Sequence, residues 1–160
     1  MDLITYRKLK ESGYKKPNLT TVIHDPEMIL GMYLESLSLP ENELNILWNQ
    51  QMFDFIVTNL RETFIRIEKL SRTKGIKFRI VVELSEDNKW FLKSITYCEV
   101  RQTDAVPENL QLIDTKIYLQ PVIEPDGNGI SKILWSNSVD LVNQKQNQFD
   151  KLWKTATPTQ

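Results

Sequence analysis

The chain holds one cysteine, Cys98, and one histidine, His24, among its 160 residues. A lone thiol forms no internal disulfide and no cysteine-based zinc site, which removes disulfide scaffolds and zinc fingers from consideration. A lone imidazole leaves a single side chain of the type that usually carries protons near neutral pH. Charge of one sign is lacking too. Twenty Lys and Arg face 21 Asp and Glu, a net charge of −1, so no global field draws in nucleic acid or an anionic membrane. The five glycines are scattered, and none forms the Gly-rich turn that lets backbone amides surround a pyrophosphate. No apolar run approaches the ~18 residues of a membrane span, and the opening stretch is polar. The expectation is a cytoplasmic chain with no membrane partner and with nucleic acid an unexpected one.

What is present is ordinary globular chemistry, 41% apolar and 26% charged, in a length typical of one domain. The local exception is a basic N-terminal arm over residues 1–19, where Arg7, Lys8, Lys10, Lys15 and Lys16 outnumber Asp2 and Glu11. Such an arm can touch phosphate, although clusters of this size are ordinarily solvated. The expected organisation is this arm, a single α/β domain over residues 20–154, and a tail or linker over residues 155–160.

Within the domain, Thr20 to Ile23 is a short β-prone run. Asp25, Pro26 and Glu27 then suit a helix start: a cap, a pre-set φ and a charge favoured by the dipole. After a β-type run at residues 44–48 and Asn49 as a cap, Phe53, Ile56, Val57, Leu60, Phe64, Ile67 and Leu70 form one apolar stripe. That spacing predicts one helix over residues 50–73, ended by Gly75. Ile76, Phe78, Ile80, Val82 and Leu84 alternate as in a strand, and Ser85 caps a shorter helix over residues 86–97. This order predicts βαβ units and a mainly parallel, mixed sheet flanked by helices. Short strands follow at residues 98–101 and 110–113. The Asp126-Gly127-Asn128-Gly129 turn joins residues 115–123 and 130–135 as an antiparallel hairpin, with Pro121 marking an edge strand or a break. A terminal helix to about Lys154 carries Val139, Val142, Phe149 and Trp153 at heptad-like spacing, interrupted by Gln146.

The chemistry-bearing residues are few. His24 stands at a strand end just before a helix, where α/β folds place ligands; an ordinary loop histidine is the competing reading. No Gly-x-Ser-x-Gly elbow accompanies it. Glu83, Glu86 and Asp87 make the densest acidic cluster, readable as a cation or amine site or as helix-capping carboxylates. Trp48, Trp90 and Trp135 lie near strand ends, either lining an apolar pocket or packing in the core. Cys98 reads as a small buried apolar residue.

Four segments also resemble a known family. They are Thr21-Val22-Ile23-His24-Asp25-Pro26-Glu27, Lys74-Gly75-Ile76-Lys77-Phe78-Arg79, Val82-Glu83-Leu84-Ser85-Glu86-Asp87-Asn88, and Leu134-Trp135-Ser136-Asn137-Ser138 continued by Gln144, Gln146, Phe149, Leu152 and Trp153. Together, over about residues 20–158, the chain resembles the phospholipase D-like sensory domain of archaeal sensor histidine kinases. The resemblance implies a phospholipase D-like half: an α/β sheet flanked by helices, with a C-terminal hairpin and a terminal helix. Catalytic members of the wider superfamily use a His-x-Lys pair with an aspartate. This sequence has no His-x-Lys, and Asp25 and Pro26 follow His24.

The resulting expectation is a ligand-binding sensory domain that catalyses nothing, with no cofactor, no metal and no catalytic residue. Its ligand site is nominated by position at strand ends: Glu83, Ser85, Trp90, Arg101, Ser136, Asn137 and His24. The expected partners are a small-molecule or protein signal, a second copy of the chain paired through the terminal-helix stripe, and a downstream kinase module. The alternatives are an effector or interaction domain of an archaeal transcription regulator, and a divergent phosphodiesterase centred on His24.

Overall fold

The computed structural model describes residues 18–159, so nearly all of the basic arm lies outside the described residues. The chain forms one eight-stranded sheet with helices on both faces. In chain order the elements are β1 (Thr20–Ile23), α1 (Pro26–Ser36), β2 (Glu43–Trp48), α2 (Gln50–Asn59), α3 (Arg61–Lys74) and β3 (Lys77–Val82). After a 3-10 turn at Lys89–Ser94 come β4 (Glu99–Gln102), β5 (Leu110–Ile113), β6 (Ile117–Ile123), β7 (Ile130–Ser136), α4 (Val139–Thr155) and β8 (Thr157–Pro158). The strands lie side by side in the order β1-β7-β6-β5-β2-β3-β4-β8.

The mixed α/β class is as expected, but its parallel part is narrower. Among the described residues only β2–β3 and β3–β4 pair in parallel. The other five pairings are antiparallel. The reason is connection length: helical crossovers separate β2 from β3, whereas the short turns after β5 and β6 force hairpins. Pro121 is accommodated because β5 pairs with β6 only from Ile117 to Leu119, leaving Pro121 paired on the β7 side alone.

Several local signals act as the residues dictate. Asp25 accepts the Glu27 amide at 3.0 Å, and Asn49 accepts the Met52 amide at 2.9 Å. Gly75 closes α3 in the left-handed region at φ 72°, where a side chain would be strained. The single long helix, however, is two. Leu60, at φ −129° and ψ 13°, both ends α2 and opens α3. Phe53, Ile56, Val57, Leu60, Phe64 and Ile67 stay buried across the break, so the stripe is continuous where the helix is not. Leu70 departs from the stripe and is exposed.

One face of the sheet carries α1, α2 and α3 over a core containing Tyr33, Trp48, Phe53, Phe64, Phe78 and Phe91. The other carries α4, which buries Val142, Phe149 and Trp153 against Leu47, Val81, Leu110, Leu112 and Tyr118. Val142, Phe149 and Trp153 of the heptad-like stripe are therefore spent on the chain's own sheet, and only Val139 at its start is exposed. Residues 156–158 also pack on the domain. Ala156 is buried, and β8 adds to the edge of β4 through Arg101–Pro158 and Gln102–Thr157.

Candidate functional site

The carboxyl ends of β2, β3 and β4 form the place where an open α/β sheet offers a crevice. Here they meet the start of β5 and the N-terminus of α2. The loop after β3 is pinned by a compact polar cluster. Ser85 Oγ donates to Asp54 Oδ1 at 2.9 Å, and Asn88 Nδ2 donates to the same oxygen at 2.9 Å. Asn88, fully buried, also donates to the Glu83 carbonyl and accepts the Ser85 amide. Glu83 Oε2 accepts the Val106 amide at 3.2 Å, and Asn109 Oδ1 accepts the Asn49 amide at 2.7 Å. Glu83 and Asn109 thus tie the ends of β3 and β2 to the segment between β4 and β5, and Asp54 on α2 holds the loop after β3. A ligand that competes for Glu83 or Asp54 would therefore release a loop.

Trp90 stands at the outer edge of this end. Its indole is 47% exposed, fixed by Nε1 donating to the Asp87 carbonyl at 2.9 Å and by an edge contact with Phe91. The Arg61 guanidinium lies 5.9 Å from its ring centroid. These residues border a groove of about 540 Å³ with Ile65 and Arg66. Trp90 belongs to a 3-10 turn rather than to the helix expected over residues 86–97, because Ser85 and Asn88 hold residues 83–88 in turns.

The other nominated residues are not gathered here. Arg101 points to the α4 face, where its guanidinium sits 4.2 Å from the Trp153 ring centroid; it also borders a separate cavity of about 320 Å³ with Tyr97, Cys98 and Pro158. Ser136 and Asn137 lie at the opposite end of the sheet. Ser136 pairs with Tyr118 at the start of β6, and that end matches the amino end of β2. Their roles there are structural: Ser136 Oγ bonds Thr20 Oγ1 at 2.7 Å and accepts the Ser138 amide, while Asn137 Oδ1 accepts the Leu19 amide. His24 is exposed at the end of β1, the outermost strand. Five strand spacings separate β1 from β3, about 24 Å at the usual interstrand distance. Among the nominated residues only Glu83, Ser85 and Trp90 therefore share one end and one neighbourhood.

Sequence reasoning missed the partners that give this end its form. Asp54 and Asn109 carry no motif, Asn88 entered only as the last residue of a resembling segment, and only the fold brings the three together. It also missed a polar seam beneath α4. Arg79 Nε donates to Asn45 Oδ1 at 2.9 Å, and its guanidinium lies 5.0 Å from the Phe149 ring and 5.2 Å from that of Trp153. Farther along the helix, Lys145 pairs with Glu108 at 2.6 Å, and Glu108 also accepts from Tyr118 and Gln120. Burial first, then the Glu108 charge and hydrogen bond, push the Tyr118 phenol well above its ordinary range. Among the described residues, no three His, Cys, Asp or Glu side chains are grouped as a metal site would need, and no helix is long and apolar enough to cross a membrane.

Compared with family models and with curated proteins, the sequence matches none. Solved structures do match. NucT from Helicobacter pylori superposes with a TM-score of 0.69 at 12% identity, over 88% of this chain and 99% of that one. Nuc from Salmonella typhimurium, a phospholipase D family member, gives 0.65 at 10% identity, over 89% of this chain and 99% of that one. TrmBL2, an archaeal chromatin protein with a novel mode of DNA binding, gives 0.62 at 15% identity; it covers 96% of this chain, which spans 60% of its length. At these identities the likeness is one of fold, and the fold is phospholipase D-like.

The comparison corrects the expectation that the chain catalyses nothing. A polyphosphate kinase from Porphyromonas gingivalis and a phosphatidylserine synthase from Haemophilus influenzae share the fold over 96% of this chain. Enzymes are built on this scaffold, so the fold gives no ground for calling the chain non-catalytic.

Proposed function

We propose that the chain is a ligand-binding sensory domain of a signal-transduction protein, of the kind that feeds an archaeal histidine-kinase module. One connection supports this reading. The strands that run into the ligand end are those that hold α4. Arg79 on β3 sits under Phe149 and Trp153, and four residues later the same chain reaches Glu83 at the strand end. Arg101 on β4, the neighbouring strand, holds Trp153. A ligand that takes Glu83 from the Val106 amide, or Asp54 from Ser85 and Asn88, alters the loops on which β3 and β4 end. The output is a shift of α4 on the sheet, a two-state element that ligand binding biases. Pairing with a partner helix through the α4 stripe requires that helix to leave the sheet.

The test is a thermal-shift screen against a metabolite panel, run with Glu83→Ala and Trp90→Ala controls. Shifts abolished by either substitution support the site, and shifts that survive both remove it.

A second reading, an effector or interaction domain of an archaeal transcription regulator, is favoured by the likeness to TrmBL2 over 96% of this chain. It predicts binding to duplex DNA at physiological salt that is lost when residues 1–17 are removed.

A further inference from the structure

The outward face of α3 is basic. Arg61, Arg66, Lys69 and Arg72 are all exposed there, and Glu62 is the one exposed carboxylate on the helix because Glu68 is buried. At 100° per residue these four cations fall within an arc of about 140°, and they span about 16 Å of helix axis. Among the described residues no ion pair or side-chain hydrogen bond neutralises Arg66, Lys69 or Arg72. Lys93 on the 3-10 turn is also exposed. The chain's net charge of −1 conceals the patch, since exposed carboxylates such as Glu27, Glu41 and Glu124 sit on other elements. The carboxylates of this region are Glu62, which lines the groove within the arc, and Glu86 and Asp87 ahead of Trp90, of which Glu86 is paired with Lys89.

The Arg61 end of this stripe opens onto the 540 Å³ groove containing Trp90, Ile65 and Phe91. The indole is held from two sides, by its bond to the Asp87 carbonyl and by the Phe91 edge. It is thus an exposed planar ring, already fixed in position, at the end of a row of unneutralised cations.

We propose that this surface binds single-stranded nucleic acid, with the α3 cations on phosphates and a base stacked at Trp90. A single strand offers repeated anions and free planar bases together, which is the pairing that sequence-tolerant strand binders use. An acidic peptide supplies the charge without the planar face, and a duplex keeps its bases stacked inside. The proposal shares Trp90 with the ligand site but does not rest on the signalling reading: Arg66, Lys69 and Arg72 play no part in the cluster around Glu83 and Asp54, so their replacement separates the two.

The test is fluorescence anisotropy of the full chain with labelled oligo(dT) over a range of salt, with oligoglutamate and anionic vesicles as competitors. Binding is expected, with quenching of Trp90 fluorescence. Replacing Arg66, Lys69 and Arg72 together by Gln removes about 0.7 from the logarithmic salt slope per cation and weakens binding about tenfold or more. Trp90→Ala weakens it about tenfold, and Trp90→Phe restores part of the loss. All these positions are exposed, and an unchanged thermal midpoint confirms that the variants fold. The proposal is overturned by absence of binding at low salt. It is overturned equally if affinity responds only to neutralising Arg7, Lys8, Lys10, Lys15 and Lys16, or if oligoglutamate or vesicles compete equally while Trp90 emission stays unchanged.

Discussion

Arg101 holds Trp153 twice: its guanidinium lies 4.2 Å from the ring centroid, and its Nη1 donates to the same residue's carbonyl at 2.6 Å. The last turn of α4 is thereby fastened to β4 just before the chain turns back to add β8 to that strand's edge. A planar, permanently charged group suits this position, since it can stack and donate at once.

Removing that clamp destabilises the α4 face. Arg101→Ala forfeits a cation–π contact and a charge-assisted hydrogen bond, together about 2 kcal/mol. Arg101→Lys recovers less than half, because an ammonium cannot stack. Urea unfolding reads both, with midpoints lowered and slopes unchanged.

Glu68 is a second fastening, on the opposite face. Its Oε1 accepts the Thr96 and Tyr97 amides and the Thr96 hydroxyl, and the side chain is almost wholly buried. Glu68→Ala leaves two amides without an acceptor and costs about 3 kcal/mol. Glu68→Gln keeps an acceptor oxygen and costs less. The comparison of the two midpoints checks whether the loss follows the amides.

Stability falls at alkaline pH through two buried phenols, Tyr118 and Tyr33. The folded-state pKa of Tyr118 is raised above the ordinary value of 10.0, chiefly by burial and then by Glu108. The neutral phenol therefore favours the folded state, and its contribution is whole below pH 10. As pH climbs from there toward the folded-state value, the unfolded chain ionises first and stability is lost. Tyr118→Phe flattens that decline; Tyr33, raised mainly by burial, leaves a remainder. Denaturation midpoints compared at about pH 8 and about pH 11 measure the difference.

Cys98 is slow to react in the native chain. It is buried, and burial first, then the Glu68 charge, pushes its thiol up, so little thiolate exists at neutral pH. Labelling by a disulfide reagent at neutral pH is expected to proceed at the rate of opening, and to become immediate in denaturant.

Much of this fold was legible in local chemistry. Asp25, Asn49 and Gly75 act where caps and stops were read, and the Asp126–Gly129 turn joins an antiparallel hairpin. Elements that depend on distant neighbours were not legible. The break at Leu60 leaves the apolar stripe intact, so periodicity carries no trace of it. Thr157 and Pro158 form a strand only because the edge of β4 is open to them. The site suffered most. His24, Glu83 and Ser136 all read as strand ends, but which end each occupies follows from strand order and direction, set by non-local pairing. The same limit hid Asn45 and Arg79, which meet only because β2 and β3 are in register.

Hydrogen exchange along α4 tests the link between the strand ends and the terminal helix most directly. Glu83→Ala frees the Val106 amide without touching any residue of α4. The account predicts faster exchange at amides in residues 139–155, with α1 on the opposite face unchanged. Equal protection of α4 in the native chain and the variant would contradict it.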